Sequence, residues 1–132
     1  MITTTPFGTA PSGSPVTVYN LVCAGARARV MDYGATILGI EVPDASNDVV
    51  DIVLGFDALD GYFDNPACYG GTIGPSANRT DKGQIKIDGT VYQMACNDGP
   101  DKANNLHTDL EHGLHKRCLL YTSDAADDLI GV

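Results

Sequence analysis

The chain has 132 residues, the length of one domain, able to bury roughly two thirds of its unfolded surface. Fifteen Gly, seven Pro and no Trp beside an ordinary apolar fraction point to short strands joined by many turns. A net charge of -9 argues against nucleic acid or an anionic membrane as partner, since both need a basic face, and suits a neutral small molecule.

In chain order, residues 1–15 are rich in Thr, Ser, Gly and Pro and read as a mobile or edge-pairing lead-in. They lack the basic start and apolar run of a signal peptide, no stretch is long enough to span a membrane, and a cytoplasmic setting is expected. Residues 16–21 alternate with period two, the mark of a half-buried strand, and 26–31 alternate small or apolar residues with Arg as a second. Residues 35–42 are almost wholly apolar, which predicts a covered or central strand. Pro43 to Asp48 is a loop by composition, and 49–54 predict a fourth strand. Asp57, Asp60 and Gly61 predict one helical turn with an Asp cap and a Gly stop. A short fifth strand is expected over 69–73. Asp88-Gly89 between alternating runs in 84–94 predicts a hairpin, because a type I′ turn needs positive φ at both central residues. Residues 97–105 form a polar loop that delivers His107. With no sustained 3.6-residue period before residue 118, the chain reads as all-β.

Four cysteines (Cys23, Cys68, Cys96, Cys118) are widely spaced and read as reduced, small buried hydrophobes. The stretch Tyr69 to Arg79 runs from Gly-dotted apolar sequence into Asn78-Arg79, and Asn104-Asn105-Leu106-His107 follows some thirty residues later. Amide, guanidinium and imidazole together supply donors and acceptors matched to a ring of hydroxyls, with Arg79 otherwise readable as a cap on its own loop. His107, His112 and His115 lack the regular spacing that a metal site would impose, so His107 reads as a hydrogen-bonding or acid–base group. His112 and His115 read as surface residues or supports behind the site. Asp57 and Asp60 read as caps rather than an acid/base pair. Gly70-Gly71 with Gly74 lacks the following Lys of a phosphate loop.

Several runs occur together in order: Asp32-Tyr33-Gly34-Ala35-Thr36-Ile37, Val42-Pro43-Asp44, Asp51-Ile52-Val53-Leu54-Gly55-Phe56-Asp57, Gly61-Tyr62, the stretch Tyr69 to Arg79, the Asp88-Gly89 hairpin and Asn105-Leu106-His107. Over residues 14–117 this pattern resembles the aldose 1-epimerases, the galactose mutarotases. The resemblance implies an antiparallel β-sandwich of the mutarotase type, truncated here, that interconverts α and β anomers of hexoses such as galactose and glucose without a cofactor. Residue by residue, it implies that Asn78 and Arg79 bind the sugar and that His107 is the first active-site His, binding substrate and assisting catalysis.

The chain departs from that family's pattern at Pro75, where Arg is usual, at Thr80, where Ile is usual, and at Thr108-Asp109, which replaces Gly-Gly. By the same resemblance, the principal acid His, the sugar-binding Asp and the Glu base all fall beyond residue 117. Residues 118–132 match no part of the family and read as an artefact, translated adapter fused to a truncated gene. Residues 16–117 are thus expected to be the N-terminal part of a mutarotase-like domain, near-inactive alone. The alternatives are a non-catalytic carbohydrate-binding sandwich, or half a sandwich whose open edges leave it without a stable fold. Neither hexose preference nor oligomeric state is legible.

Overall fold

The structure, a computed structural model, describes residues 1–117; the tail at 118–132, with Cys118, lies outside the described residues. Two compact units are seen, one of residues 1–72 with Arg117, the other of residues 73–116.

The first unit is a five-stranded antiparallel sheet in the order β1-β2-β3-β4-β5. Its strands are β1 (Ile2–Thr9), β2 (Pro15–Cys23), β3 (Ala26–Met31), β4 (Thr36–Pro43) and β5 (Val49–Asp51). β1 lies at one edge, paired along β2 with a register shift between Pro6 and Gly8. The alternation read in β2 is real: Val16 and Val18 point into a core with Met31, Tyr33, Leu38, Leu59 and Tyr62. β4 is an inner strand, as its apolar run implies.

β5 is shorter than the expected 49–54. The Asp51 carboxylate turns back to accept from the backbone N–H of Ile40 and of Val53, both at 3.0 Å, so a side chain stands in where the ladder would continue. Those two N–H groups, Val53 first, hold the Asp51 carboxyl below the usual carboxylate range. Arg29 reaches the same carboxylate at 3.7 Å over Gly39, where a Cβ would come within 2.5 Å of Asp51 Oδ2.

The expected helical turn is displaced. The helix α1 spans Gly61–Asp64, so Gly61 begins it rather than stopping it. Asp60 does cap it, accepting from the Gly61 N–H at 3.0 Å. Gly61 is needed for packing: a Cβ there would lie 2.5 Å from the Phe56 ring. Tyr62, on α1, is buried with its hydroxyl accepting from Phe56 N (2.9 Å) and donating to Phe56 O (3.1 Å), and its ring meets Phe56 edge-on.

No strand forms over 69–73. Gly70 sits at φ +62 in a turn, with its carbonyl accepting from Ile37 N at 2.9 Å, and a Cβ on it would collide with the Ile37 carbonyl. The glycines there serve a backbone-on-backbone approach rather than a strand. The cysteines are also less buried than expected: Cys23 is exposed, while Cys68 and Cys96 are half-buried.

The second unit holds two small antiparallel pairs. One joins β6 (Arg79–Thr80) to β9 (Asn105–Leu106), with Arg79 opposite Leu106. The other is the expected hairpin of β7 (Gln84–Ile87) and β8 (Thr90–Gln93), turning at Asp88 (φ 48) and Gly89 (φ 86). The buried hydrophobic residues among those described all lie in the first unit; in the second, the buried side chains are those of Asn105 and His115. Polar contacts therefore carry much of its definition. Among the described residues no helix is long and apolar enough to cross a membrane.

Candidate functional site

The three side chains singled out in the sequence share the second unit. β6 and β9 run antiparallel, so Asn78, just before β6, lies beside His107, just after β9. Their backbones and side chains interlock. The Asn78 N–H donates to His107 Nδ1 at 3.0 Å, and the His107 N–H donates to the Asn78 carbonyl at 3.2 Å. A backbone N–H can only donate, so Nδ1 of His107 is an acceptor and the neutral ring carries its proton on Nε2. His107 thus carries an N–H donor at Nε2, the ring nitrogen not bonded to Asn78.

Asn78 is exposed and has φ 64, with its own Oδ1 accepting from Arg79 N at 2.9 Å. Asn tolerates this left-handed backbone because its short polar side chain bonds locally. The Arg79 side chain does not cap its own loop: its Nε donates to Asp98 Oδ2 at 2.7 Å, and the side chain is 62% exposed.

Four residues not singled out for the site hold it together. Asn105 is completely buried; its Nδ2 donates to the carbonyls of Ala95 (2.6 Å) and Thr108 (2.7 Å), while its Oδ1 accepts from Thr108 N (3.1 Å). These bonds close the turn in which His107 and Thr108 both take left-handed φ, 57 and 60. Such a φ is costly for a β-branched residue. The Thr108 hydroxyl offsets the cost by accepting from Ser76 N at 2.8 Å, donating to Ser76 O at 3.1 Å and lying 2.9 Å from Ser76 Oγ. Thr108 thereby clasps the loop of Asn78 to the loop of His107. Asn97 imitates a strand neighbour, exchanging bonds of 2.6 and 2.9 Å with the N–H and carbonyl of Leu106. The run of Asn, Asp, Gly and Pro over 97–105 reads only as a polar loop, because partners so distant in sequence leave no local signal.

His112 is at the surface with Nδ1 3.2 Å from Asp109 Oδ2, whereas His115 is buried. Burial, then the nearby Lys116 charge, holds the His115 pKa below its ordinary value. Backbone N–H groups of His112 and then Glu111 hold Asp109 low. Among the described residues no group of three or more His, Cys, Asp or Glu side chains could hold a metal ion.

An amide, a guanidinium and an N–H-bearing imidazole thus stand on two interlocked loops, carried on antiparallel strands with little helix. The sequence model of the aldose 1-epimerase family matches residues 18–116, and the chain belongs to that family. Galactose mutarotase from Bos taurus is 37% identical over 107 residues, covering 80% of this chain and 30% of that protein. Among solved structures, a GalM/aldose epimerase homologue from C. elegans is 34% identical with a TM-score of 0.61, covering 71% of this chain and 28% of that one. Galactose 1-epimerase from Lactobacillus acidophilus, at 23% identity, shares the fold with a TM-score of 0.69 over 89% of this chain and 33% of its own. The chain spans about a third or less of the length of these relatives.

Proposed function

We propose that this chain is the sugar-holding N-terminal part of an aldose 1-epimerase that interconverts the α and β anomers of hexoses such as galactose and glucose in the cytoplasm. Residues 16–117 form the mutarotase-like part, and 118–132 stand outside it. Asn78 and Arg79 bind ring hydroxyls, and His107 binds the sugar and assists by donating from Nε2 to an oxygen that gains charge as the hemiacetal opens. The observation that carries this reading is the Asn78 N–H to His107 Nδ1 bond, which leaves Nε2 as the donor of the neutral ring.

Anomer exchange needs a base at the anomeric hydroxyl and an acid at the ring oxygen. Asn78, Arg79 and His107 hold the hydroxyls but do not supply that pair, so the 132-residue chain is expected to bind hexose and to accelerate mutarotation very little. Titration with D-galactose, followed by ¹H–¹⁵N NMR, should move the Asn78, Arg79 and His107 signals, and Arg79→Ala should abolish the effect. Unmoved signals in the wild type would defeat the reading. Polarimetry on freshly dissolved α-D-galactose supplies the second arm. Rapid mutarotation by this chain would show that the acid and base lie within it.

A further inference from the structure

An exposed Arg side chain is ordinarily a good receptor for a carboxylate or phosphate, which it grips in a planar, bidentate way. In this chain that receptor is already occupied on one side. Asp98 Oδ2 lies 2.7 Å from Arg79 Nε, with the Asp98 side chain 21% exposed and that of Arg79 62%. Asp98 is held there by backbone: its N–H donates to the Asn104 carbonyl and its carbonyl accepts from Asn104 N, both at 3.0 Å. Next to it, Asn97 is tied to Leu106, the residue before His107. The carboxylate is therefore fixed by the same strand that delivers the imidazole.

An ion pair this exposed contributes little to stability. Its effect on charge is large by comparison. With Asp98 in place the pair is neutral overall, the terminal N–H groups of Arg79 remain able to donate to hydroxyls, and an arriving anion meets a fixed negative charge beside the cation it would seek.

We infer that Asp98 is a specificity-determining residue, one that tunes the Arg79 site to neutral aldoses and against sugars carrying a carboxylate or phosphate. The inference rests on the proposal that Asn78, Arg79 and His107 face the sugar. Asp98 acts through Arg79.

The experiment uses the 132-residue chain, wild type, Asp98→Asn and Asp98→Glu, titrated by ¹H–¹⁵N NMR with D-galactose, D-galacturonate and inorganic phosphate at fixed ionic strength. Asp98→Asn should shift the preference toward galacturonate over galactose by about fivefold, the worth of one unit charge about 4 Å away in water-like surroundings. Added salt should shrink that shift, and Asp98→Glu should restore the wild-type ratio. A ratio unchanged in Asp98→Asn would overturn the inference, as would wild-type protein binding galacturonate as well as galactose. The phosphate arm stands apart from the sugar reading: phosphate should move the Arg79 Nε signal in Asp98→Asn and leave it in place in the wild type. Should galactose bind nowhere, the proposed function falls, while the phosphate arm still decides whether Asp98 excludes anions. Should Asp98→Asn fail to fold, phosphate binding at Arg79 in the wild type alone suffices to refute the inference.

Discussion

Asn105 and Thr108 are joined by two hydrogen bonds in opposite senses, Asn105 Nδ2 to Thr108 O at 2.7 Å and Thr108 N to Asn105 Oδ1 at 3.1 Å. The bonds lock two successive left-handed residues, His107 and Thr108, in a unit whose described residues include no buried large hydrophobe. Asn105→Ala empties a fully buried position and leaves the part-buried Ala95 and Thr108 carbonyls and the Thr108 N–H without these bonds, at a cost of about 2 kcal/mol. Urea unfolding followed through NMR signals of residues 105–108 checks this. Asn105→Asp should be comparably damaging, since a carboxylate would face two carbonyl oxygens.

The tautomer of His107 is open to direct measurement. With Asn78 N donating to Nδ1, the ¹⁵N spectrum of the neutral ring should show an unprotonated Nδ1 and a protonated Nε2. Asn105→Ala, by loosening the turn, should bring the two nitrogens toward the mixture of a free imidazole. A Nδ1-protonated ring in the wild type would contradict the geometry.

Tyr62 serves the first unit through its hydroxyl as well as its ring. Tyr62→Phe keeps the buried ring and removes both bonds to Phe56, so it should cost about 1–2 kcal/mol. A loss far below that, read from thermal unfolding, would mean that water replaces the hydroxyl.

Stability should fall with acid in two stages. His115 has a folded pKa below its unfolded value, so the unfolded chain takes up the proton first. Its contribution is complete above about pH 6.5, the ordinary His value, and is lost as pH falls from there toward the folded pKa. Asp51 and Asp109, both lowered by backbone N–H bonds, lend stability above the ordinary carboxylate range, about pH 4, and lose it as pH falls through their folded values. Denaturant midpoints measured from pH 8 to pH 3 should show both steps. His115→Gln should erase the upper step and spare the lower.

Much of this was legible in the sequence. The 84–94 hairpin was, because Asp-Gly fixes a turn whose backbone few other pairs adopt. The strand over 26–31 was, as β3, although its burial does not divide by face: fully buried Met31 shares the face of Arg27 and Arg29. Residues 69–73 misled because a Gly-dotted apolar run fits a strand and a close backbone approach equally well, and only the Ile37 carbonyl above Gly70 separates the two. Gly61 misled for the same reason, its lack of a Cβ making room for Phe56 rather than ending a helix. At the candidate site, Asn78, Arg79 and His107 could be picked out by side-chain chemistry together with the family resemblance. Their tethers could not, since Asp98 is 19 residues from Arg79 and Thr108 is 32 from Ser76.

The Asp88-Gly89 turn has one more use. Nothing lies within 4 Å of where a Cβ on Gly89 would sit, and both flanking strands are largely exposed. A reporter group attached at Gly89 would ride on the loop tip, giving an optical handle on folding placed apart in sequence from the loops of Asn78 and His107.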